Sequence, residues 1–297
     1  MITKASSMTS KIKTYYSLTK PGVLYGNALT AAAGFLLASG NEGRFNFWLF
    51  IALCLGSTLI IASACVLNNY LDQDIDSKMA RTKKRALVQG EIKGRNAVIF
   101  SILLGSIGLL ILMLFTNLLV VFIGIGGFLV YVVFYGMLSK RLSIHGTLVG
   151  SVSGAAPILA GYVAVTGTVD LGAILVFLIL FLWQMPEFYS IAVYRQKEYA
   201  AAGVPVMSVV KGIRSTKIQI LIYTILFVIL TALLSVYGYT GYVYRVVMIA
   251  LGAYWIWLGI KGLQAKDSDA WARKMFRFSL IILLVFCALI SVDALLP

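Results

Sequence analysis

Three oxygen-bearing side chains, Asn68, Asp72 and Asp76, follow one another at intervals of four residues near the end of an apolar run. On a continuous α-helix this spacing places all three within an arc of about 80°, whereas Asp74 points to another side. Mg²⁺ prefers carboxylate and amide oxygens and is commonly held by one or two carboxylates together with substrate phosphates. The spacing therefore predicts a metal site formed by Asn68, Asp72 and Asp76. The alternative is an acidic helix end that is solvated at a membrane interface.

The residues that follow this acidic segment are strongly basic. Lys78, Arg81, Lys83, Lys84 and Arg85 supply donors that suit phosphate oxygens, and arginine binds such oxygens bidentately. A carboxylate at the centre of a bilayer costs roughly 2.5 to 3.5 kcal/mol, and neighbouring carboxylates repel one another, so compensating cations are needed. Acidic and basic segments together predict a magnesium diphosphate site.

A second concentration of polar residues ends a later apolar run, within residues 183–206. Glu187 and Glu198 are eleven residues apart, close to three helical turns, so they share a face if the helix continues beyond Pro186, a residue type that kinks helices. Two polar helix ends on one side of a membrane would frame a pocket. A solvated helix end is the alternative for Glu198. The residues predicted to contact substrate in this segment are Gln184, Glu187, Tyr194, Arg195, Glu198 and Tyr199.

Aromatic side chains near the same level have ring faces that can stabilise a carbocation. Aromatic belts at membrane interfaces are common, however, and interfacial packing is the favoured interpretation. The side chains concerned are Tyr131, Phe134, Tyr135, Trp183, Phe188 and Tyr189. His145, the single histidine, lies in a basic loop and is predicted to be neither an iron ligand nor a proton donor.

The composition places these residues in a membrane protein. Of the 297 residues, 60% are apolar and 12% are charged, and the mean hydropathy is +0.93, which excludes a soluble globular domain. About 20 apolar residues cross a bilayer as a helix, so we predict an all-α fold of about nine spans. The predicted spans are residues 22–40, 46–70, 97–115, 118–138, 146–166, 171–194, 217–237, 241–260 and 276–295.

The positive charge is unevenly distributed along the chain. A net charge of +14 favours anionic partners such as lipid headgroups, phosphates or carboxylates, and nothing indicates a nucleic-acid partner. All of the 25 Lys and Arg residues except Arg44 and Arg245 fall in alternate connections. These connections are residues 1–21, 71–96, 139–145, 195–217 and 261–277. The positive-inside rule then predicts a cytoplasmic N-terminus and an external C-terminus.

Six segments of the chain resemble the intramembrane prenyltransferase superfamily, and most closely its protoheme IX farnesyltransferase (heme O synthase) branch. They are LTKPG at 18–22, NNYLDQDID followed by KMARTKKRAL at 68–87, GSVSGAAP at 150–157, WQMP at 183–186, YRQKEYAAAGVPVMSVVKG at 194–212, and WARKMFRFS at 271–279. The last of these is similar to the final cytoplasmic loop of the branch. Because the similarity covers nearly the whole chain, we expect one transmembrane prenyltransferase domain at residues 1–297.

The resemblance implies a nine-helix bundle around a central cavity that opens to the cytoplasmic side of a bacterial inner membrane. It also implies transfer of farnesyl from farnesyl diphosphate to a vinyl group of heme b, with water supplying the hydroxyl group of heme O. The residues that it assigns to Mg²⁺ and diphosphate are Asn68, Asp72 and Asp76, with Arg81 and Lys84 on the leaving group and Lys20 assisting.

This chain departs from the branch at two positions. The branch reads WQMPH, and its histidine is proposed to touch the heme, but residue 187 is Glu187 here, a poor neutral ligand for iron. The branch has Asp-Tyr where this chain has Glu198 and Tyr199, which is a conservative change. The heme propionates are expected near the basic residues Arg195, Lys197 or Lys211.

The sequence leaves two other functions open. One is prenylation of a different aromatic acceptor, such as a quinone precursor, which would keep the aspartate motif and change the acceptor pocket. The other is secondary transport of an anionic solute, whose expected marks are broken helices and ionisable groups near mid-membrane. Acidic groups at helix ends favour a one-sided reaction pocket instead. The sequence also leaves open whether the product passes to a terminal oxidase.

Overall fold

The structure, a computed structural model, describes residues 11–296. Within that range the regular structure is helical without a β-strand, and nine helices are long and apolar enough to cross a membrane. The predicted all-α class and the nine spans are therefore confirmed. The spanning helices, labelled α1 to α9 in chain order, are Pro21–Asn41, Phe47–Leu71, Gly94–Phe115, Leu118–Leu142, Gly146–Thr166, Leu171–Tyr194, Gly212–Val236, Tyr242–Leu263 and Ser268–Leu295.

The two ends of this bundle differ in charge. Because the chain direction alternates, the even-numbered helices end where the odd-numbered helices begin, and the basic connections lie at this end. We call it the basic end. It also carries a helix at residues 11–18 and the short helices Gln73–Lys78, Gln196–Ala201 and Met207–Val210. Lys4, which contributes to the charge pattern of the sequence, lies outside the described residues.

The helix α2 stops inside the aspartate motif, so the expectation of one continuous helix is wrong. It ends at Leu71, and Asp72 follows with φ −92° and ψ 8°. The short helix Gln73–Lys78 then begins, and the Asp76 N–H donates to the Asp72 carbonyl at 2.7 Å. This hydrogen bond spans four residues as in an α-helix, and it bridges the break between the two aspartates.

The last basic connection is shorter than predicted. Residues 261–277 are predicted as a loop, but α9 already begins at Ser268. Asp267 caps this helix, because its side chain accepts a hydrogen bond from the backbone N–H three residues later at 2.9 Å. In the first turns Trp271 is buried and Arg273 is exposed. A hydropathy window does not separate such an amphipathic start from a polar loop.

Within α4 lies a ten-residue π-helical stretch, Val130–Ser139. π-Helices are rare and frequently occur at functional sites. Here the stretch brings Tyr131 and Tyr135 together, with ring centroids 5.7 Å apart, and it leads directly into Lys140 at the basic end. The apolar sequence of α4 gives no signal that separates this stretch from an ordinary α-helix.

Two glycines allow α1 and α5 to cross with their backbones in contact. A Cβ atom at Gly161 would lie 2.0 Å from the Ala31 carbonyl oxygen, and one at Gly34 would lie 2.2 Å from the Ile158 carbonyl oxygen. Small residues are typical of such crossings in membranes, where close packing stabilises helix pairs without help from the hydrophobic effect. The crossing fixes α1 and therefore Lys20, the residue that precedes it.

Candidate active site

Asn68, Asp72 and Asp76 form a buried group at the basic end, which we call the carboxylate cluster. Their exposed fractions are 3%, 1% and 3%. Burying an ion costs several kcal/mol unless partners compensate it, so such a group requires cations nearby. Asp74 has a side chain that is 60% exposed, and it lies outside the cluster.

Three cations from separate segments, which we call the cation trio, contact this cluster. They are Lys20, Arg85 and Lys140, and their partners are the Asn68 side-chain oxygen, Asp76 and Asp72 respectively. One segment precedes α1, one follows α2 and one ends α4. Because three cations face two carboxylates, the site keeps a surplus of positive charge that suits an anionic substrate.

Lys20 is held at the cluster by its backbone. Among the described residues it is the one non-glycine residue with a positive φ, at 54°, and this left-handed conformation costs roughly 1 to 2 kcal/mol. Asn69 donates to the Leu18 carbonyl at 2.7 Å and anchors the preceding segment. Burial lowers the pKa of Lys20 to about 8, and the charges of Arg85 and Lys140 act in the same direction. Backbone strain of this kind is typical of functional sites.

The connection after α2 presents Arg85 to the carboxylates. The Thr82 hydroxyl donates to the Asp76 carbonyl at 3.0 Å and fixes the turn that leads to Arg85. Arg81 and Lys84 are exposed and have no carboxylate partner within residues 11–296. Their contact with a leaving group stays a prediction, whereas Arg85 touches the cluster directly.

Two adjacent basic residues at the end of α4, Lys140 and Arg141, pair with different aspartates. Lys140 pairs with Asp72. Arg141 donates to both carboxylate oxygens of Asp74, at 2.7 and 2.8 Å, and to the Leu71 carbonyl at 2.7 Å. The hydrogen bonds from Arg141 lower the pKa of Asp74 to about 2. Sequence reasoning missed both residues as site residues, since only the fold brings the end of α4 beside the end of α2.

Two polar atoms of the cluster have no hydrogen-bond partner, namely Asp72 Oδ1 and Asn68 Nδ2. The Arg141 guanidinium lies 3.7 Å from Asp72 Oδ1. A buried unsatisfied polar group costs about 1 to 3 kcal/mol, so Asp72 has capacity for one more ligand. Within residues 11–296 no group of three or more His, Cys, Asp or Glu side chains is suited to hold a metal. Two carboxylates and an amide oxygen nevertheless fit Mg²⁺, which commonly shares its coordination with phosphates and water.

The second polar segment is interrupted in the structure. The helix α6 ends at Tyr194, and after Arg195 a separate helix, Gln196–Ala201, begins. Glu187 and Glu198 are therefore not on one continuous helix. Arg195 pairs with Glu198 at 3.1 Å, which ties the start of the short helix to the end of α6.

Apolar contacts join this segment to the aspartate segment. Ile75 and Met79 form a buried cluster with Ala202 and Val204, and Tyr199 packs against it. The two polar segments, far apart in sequence, are thus neighbours at the basic end.

Tyr199 lies between the two parts of the site. Burial raises the pKa of its phenol, which also interacts electrostatically with Tyr135 and Lys140 of the first part and with Arg195 of the second. Tyr199 packs against the buried cluster that contains Ile75 and Met79 of the aspartate segment, and its N–H donates to the Arg195 carbonyl at 3.1 Å, so this residue joins the two polar segments.

The deeper polar residues of α6 have different surroundings. Gln184 is buried, and its amide group donates at 3.0 Å to the carbonyls of Ser151 and Leu180. A Cβ atom at Gly154 would lie 1.9 Å from the Gln184 side-chain oxygen, so Gln184 ties α5 to α6. Glu187 is half-buried, and its side chain has no hydrogen bond or ion pair to another described residue. The Glu187 carboxylate therefore has capacity for a ligand, as does the Gln184 side-chain oxygen, whereas the Gln184 amide nitrogen is engaged within the protein.

Two of the six aromatic residues lie beside the cluster. Lys140 Nζ is 6.0 Å from the Tyr135 ring centroid, and Tyr131 is the neighbour of Tyr135 in the π-helical stretch. Phe134 and Phe188 are exposed on their helices. The π-helix therefore brings a pair of phenol rings to the carboxylate cluster.

A comparison with protein families shows which family has this sequence pattern. Residues 27–281, most of the chain, match the model of the UbiA prenyltransferase family. The chain belongs to the UbiA prenyltransferase family. The resemblance to intramembrane prenyltransferases that the sequence motifs indicate is thereby confirmed.

Curated relatives within the UbiA family match over nearly their whole length. A protoheme IX farnesyltransferase from Citrobacter koseri is 46% identical over 285 residues, which cover 96% of this chain and 96% of the relative. A protein of the same name from Yersinia pseudotuberculosis is 45% identical over 282 residues, 95% of each chain.

Solved structures of UbiA-type proteins share the fold. A structure from work on digeranylgeranylglyceryl phosphate synthase aligns with a TM-score of 0.80 at 21% identity, covering 96% of this chain and 99% of the other. A UbiA homolog from Archaeoglobus fulgidus bound to GPP and Mg²⁺ aligns with a TM-score of 0.69 at 16% identity, covering 94% and 99%. Nine spanning helices in this arrangement are thus the UbiA fold.

Proposed function

We propose that this UbiA family member transfers the farnesyl group of farnesyl diphosphate to a vinyl group of heme b, with addition of water, to give heme O. The observation that carries the proposal is the 46% identity to a protoheme IX farnesyltransferase over 96% of both chains. The buried carboxylate cluster and the cation trio support the diphosphate half of this reaction, since they can bind a metal and an anionic leaving group.

The carboxylate cluster is the part of the site that fits Mg²⁺, through Asp72, Asp76 and the Asn68 side-chain oxygen. When bound there, Mg²⁺ supplies Lewis-acid stabilisation of the diphosphate. The cation trio donates to diphosphate oxygens, and such charge-assisted contacts strengthen as negative charge builds up on the leaving group. Arg81 and Lys84, which are exposed on the same connection, extend this positive field toward the entrance.

The rest of the reaction depends on the surroundings of the allylic group. As its C–O bond to diphosphate breaks, the ring faces of Tyr131 and Tyr135 stabilise the positive charge that forms. The electron pair of the vinyl group then forms the new C–C bond, and water adds to the resulting cation as hydroxyl with release of a proton. Burial of the cluster keeps bulk water from the first cation.

We also propose an orientation for the molecule. The chain forms a single domain in a bacterial inner membrane, with the basic end, the N-terminus and the opening of the pocket on the cytoplasmic side and the C-terminus outside. The clustering of Lys and Arg at the basic end supports this orientation. Membrane lipid, farnesyl diphosphate and heme b are then the immediate partners, and delivery of the product to a terminal oxidase stays a prediction.

Product analysis tests this function directly. Membranes that contain the chain, supplied with heme b, farnesyl diphosphate and Mg²⁺, should yield a heme whose mass is increased by one farnesyl group and one water. Asp72→Asn should lower this turnover by about 100-fold or more, because it removes a buried carboxylate that fits Mg²⁺ and that pairs with Lys140. Asp74→Asn is the matched control and should stay within a few fold of wild type, since Asp74 lies outside the cluster.

Other outcomes of the same incubation distinguish the alternatives. A prenylated quinone precursor without any prenylated heme would assign a different acceptor. Uptake of a labelled anion into vesicles without a covalent product would favour a transporter. Equal losses in Asp72→Asn and Asp74→Asn would contradict the role of the carboxylate cluster.

A further inference from the structure

Two arginines, one in the turn after α6 and one on α9, contact one tyrosine ring at the basic end, apart from the cation trio. The guanidinium carbon of Arg195, which follows α6, lies 5.5 Å from the Tyr194 ring centroid. The guanidinium carbon of Arg273, in the first turns of α9, lies 4.6 Å from the same centroid. Both guanidinium groups contact the same ring, and we call them the arginine pair.

The arginine pair carries an unbalanced positive charge. Arg195 pairs with Glu198 at 3.1 Å. Arg273 is exposed, and its side chain has no hydrogen bond or ion pair within residues 11–296, although Asp269 lies one turn earlier on α9. The cation–π contact orients the Arg273 guanidinium and leaves its N–H donors free.

We propose that Arg273, together with Arg195 and the Tyr194 ring, forms a carboxylate-binding subsite that takes a propionate group of the porphyrin acceptor. The inference rests on the proposed function, in which the acceptor is heme b. A guanidinium group matches a carboxylate bidentately, and one that is stacked on an aromatic ring is already oriented for this contact. Phe276, whose ring centroid is 6.2 Å from that of Tyr194, adds an apolar surface beside the charged groups.

The subsite lies next to the diphosphate site and does not overlap it. The Tyr199 N–H donates to the Arg195 carbonyl at 3.1 Å, and Tyr199 packs against the buried cluster that contains Ile75 and Met79 of the aspartate segment, so Tyr199 connects the arginine pair to that segment. The vinyl and propionate groups of heme b are attached to different pyrrole rings. Binding of a propionate at Arg273 therefore leaves the vinyl groups free to reach the allylic diphosphate.

The subsite is tested by removing the charge from each side of the contact in turn. Heme b and its dimethyl ester, which lacks the propionate charges, are titrated by absorbance into purified wild-type protein and Arg273→Gln in nanodiscs. Arg273→Gln should weaken heme b binding and raise the KM for heme b about tenfold, the usual size of a hydrogen bond to a charged group. The dimethyl ester should bind both proteins equally, and the KM for farnesyl diphosphate should not change.

Two further variants separate a specific contact from general charge. Lys274→Gln removes an exposed positive charge from the adjacent position of α9 and should leave heme b binding unaltered. Arg273→Lys keeps the charge but loses the bidentate geometry, and its affinity should lie between those of wild type and Arg273→Gln.

The inference and the proposed function fail in different ways. Unaltered heme b affinity in Arg273→Gln, or an equal loss for heme b and its ester, would overturn the subsite even if heme is farnesylated. If heme b binds with the expected dependence on Arg273 but no farnesylated heme forms, the proposed function fails and the subsite remains.

Discussion

The basic residues that follow α2 differ in what they contact. Arg85 pairs with Asp76, whose side chain is only 5% exposed, whereas Lys84 is exposed. Removing one partner of a buried ion pair leaves an uncompensated charge, but removing an exposed charge has little effect. Loss of Arg85 should therefore lower activity more than loss of Lys84.

Arg85→Gln should lower kcat/KM for farnesyl diphosphate by about 10- to 100-fold, because it removes a charge-assisted contact to the leaving group. Lys84→Gln should lower it less. Lys93→Gln, a change of an exposed lysine in the same connection, is the control and should resemble wild type. Steady-state kinetics at a fixed heme b concentration measure all three, and a larger loss for Lys84 than for Arg85 would contradict the contacts described above.

The site could be predicted from the sequence only where local periodicity applies. Asp72 and Asp76 are joined by a helical hydrogen bond despite the break after Leu71, so their four-residue spacing correctly indicated neighbours. The basic residues after Lys78 fold as turns and have no such period. The sequence could therefore not show that Arg85 is the one that contacts the carboxylate cluster. Lys140 lies 68 residues from Asp72 in sequence, and only the packing of α4 against α2 brings the two together.

At the scale of secondary structure, the π-helical stretch of α4 contacts α2 at a glycine. A Cβ atom at Gly136 would lie 3.6 Å from Asn68 Nδ2 and 3.9 Å from Leu71 Cδ1. A methyl group would thus fill the available space, and a larger side chain would push against the carboxylate cluster.

Gly136→Leu should therefore lower farnesyl transfer at least tenfold, since overpacking costs about 1 to 3 kcal/mol and here it would displace Asn68. Gly126→Leu is a matched control on the same helix, because a Cβ atom there has nothing within 4 Å. Turnover and thermal unfolding should be measured for both variants. Retained turnover in Gly136→Leu would mean that α4 does not position the cluster.

Helices as elements were easier to predict than their ends. Runs of about 20 apolar residues identified all nine spans, because each must satisfy its backbone hydrogen bonds internally in lipid. The start of α9 depends on the Asp267 cap and the end of α2 on the local backbone at Asp72. Neither the Asp267 cap nor the backbone conformation at Asp72 changes the mean hydropathy of a window, so hydropathy averaging could not locate these two helix ends.

At the scale of the whole molecule, the two arginines at the end opposite the basic end are engaged with the protein. Arg44 donates to the Val165 carbonyl at 2.8 Å, and Arg245 donates to the Ser235 hydroxyl at 2.9 Å. These hydrogen bonds give Arg44 and Arg245 a structural role, which explains two positive charges on the side where the positive-inside rule expects few. The orientation inferred from charge is consistent with them.

Labelling of introduced cysteines checks this orientation. A membrane-impermeant maleimide should modify Thr168→Cys in intact cells, because Thr168 is exposed in the connection between α5 and α6. Lys266→Cys, exposed between α8 and α9 at the basic end, should react only after the membrane is opened. The native Cys65 and Cys287 are buried, and Cys54 is half-buried within the spanning helix α2, so these thiols give little background with a polar reagent. The reverse labelling pattern would place the basic end outside.

The segment at residues 11–20 leads from the surface of the basic end to the carboxylate cluster. It carries exposed residues such as Lys11. The Asn69 side chain of α2 donates to its Leu18 carbonyl, and its last residue, Lys20, contacts Asn68 of the carboxylate cluster. Lipids or detergents that displace this segment from the interface break its hydrogen bond to Asn69 of α2 and withdraw Lys20 from Asn68, so the rate depends on bilayer composition. Rates measured in harsh detergent should accordingly fall below those in anionic vesicles, even for protein that is fully folded.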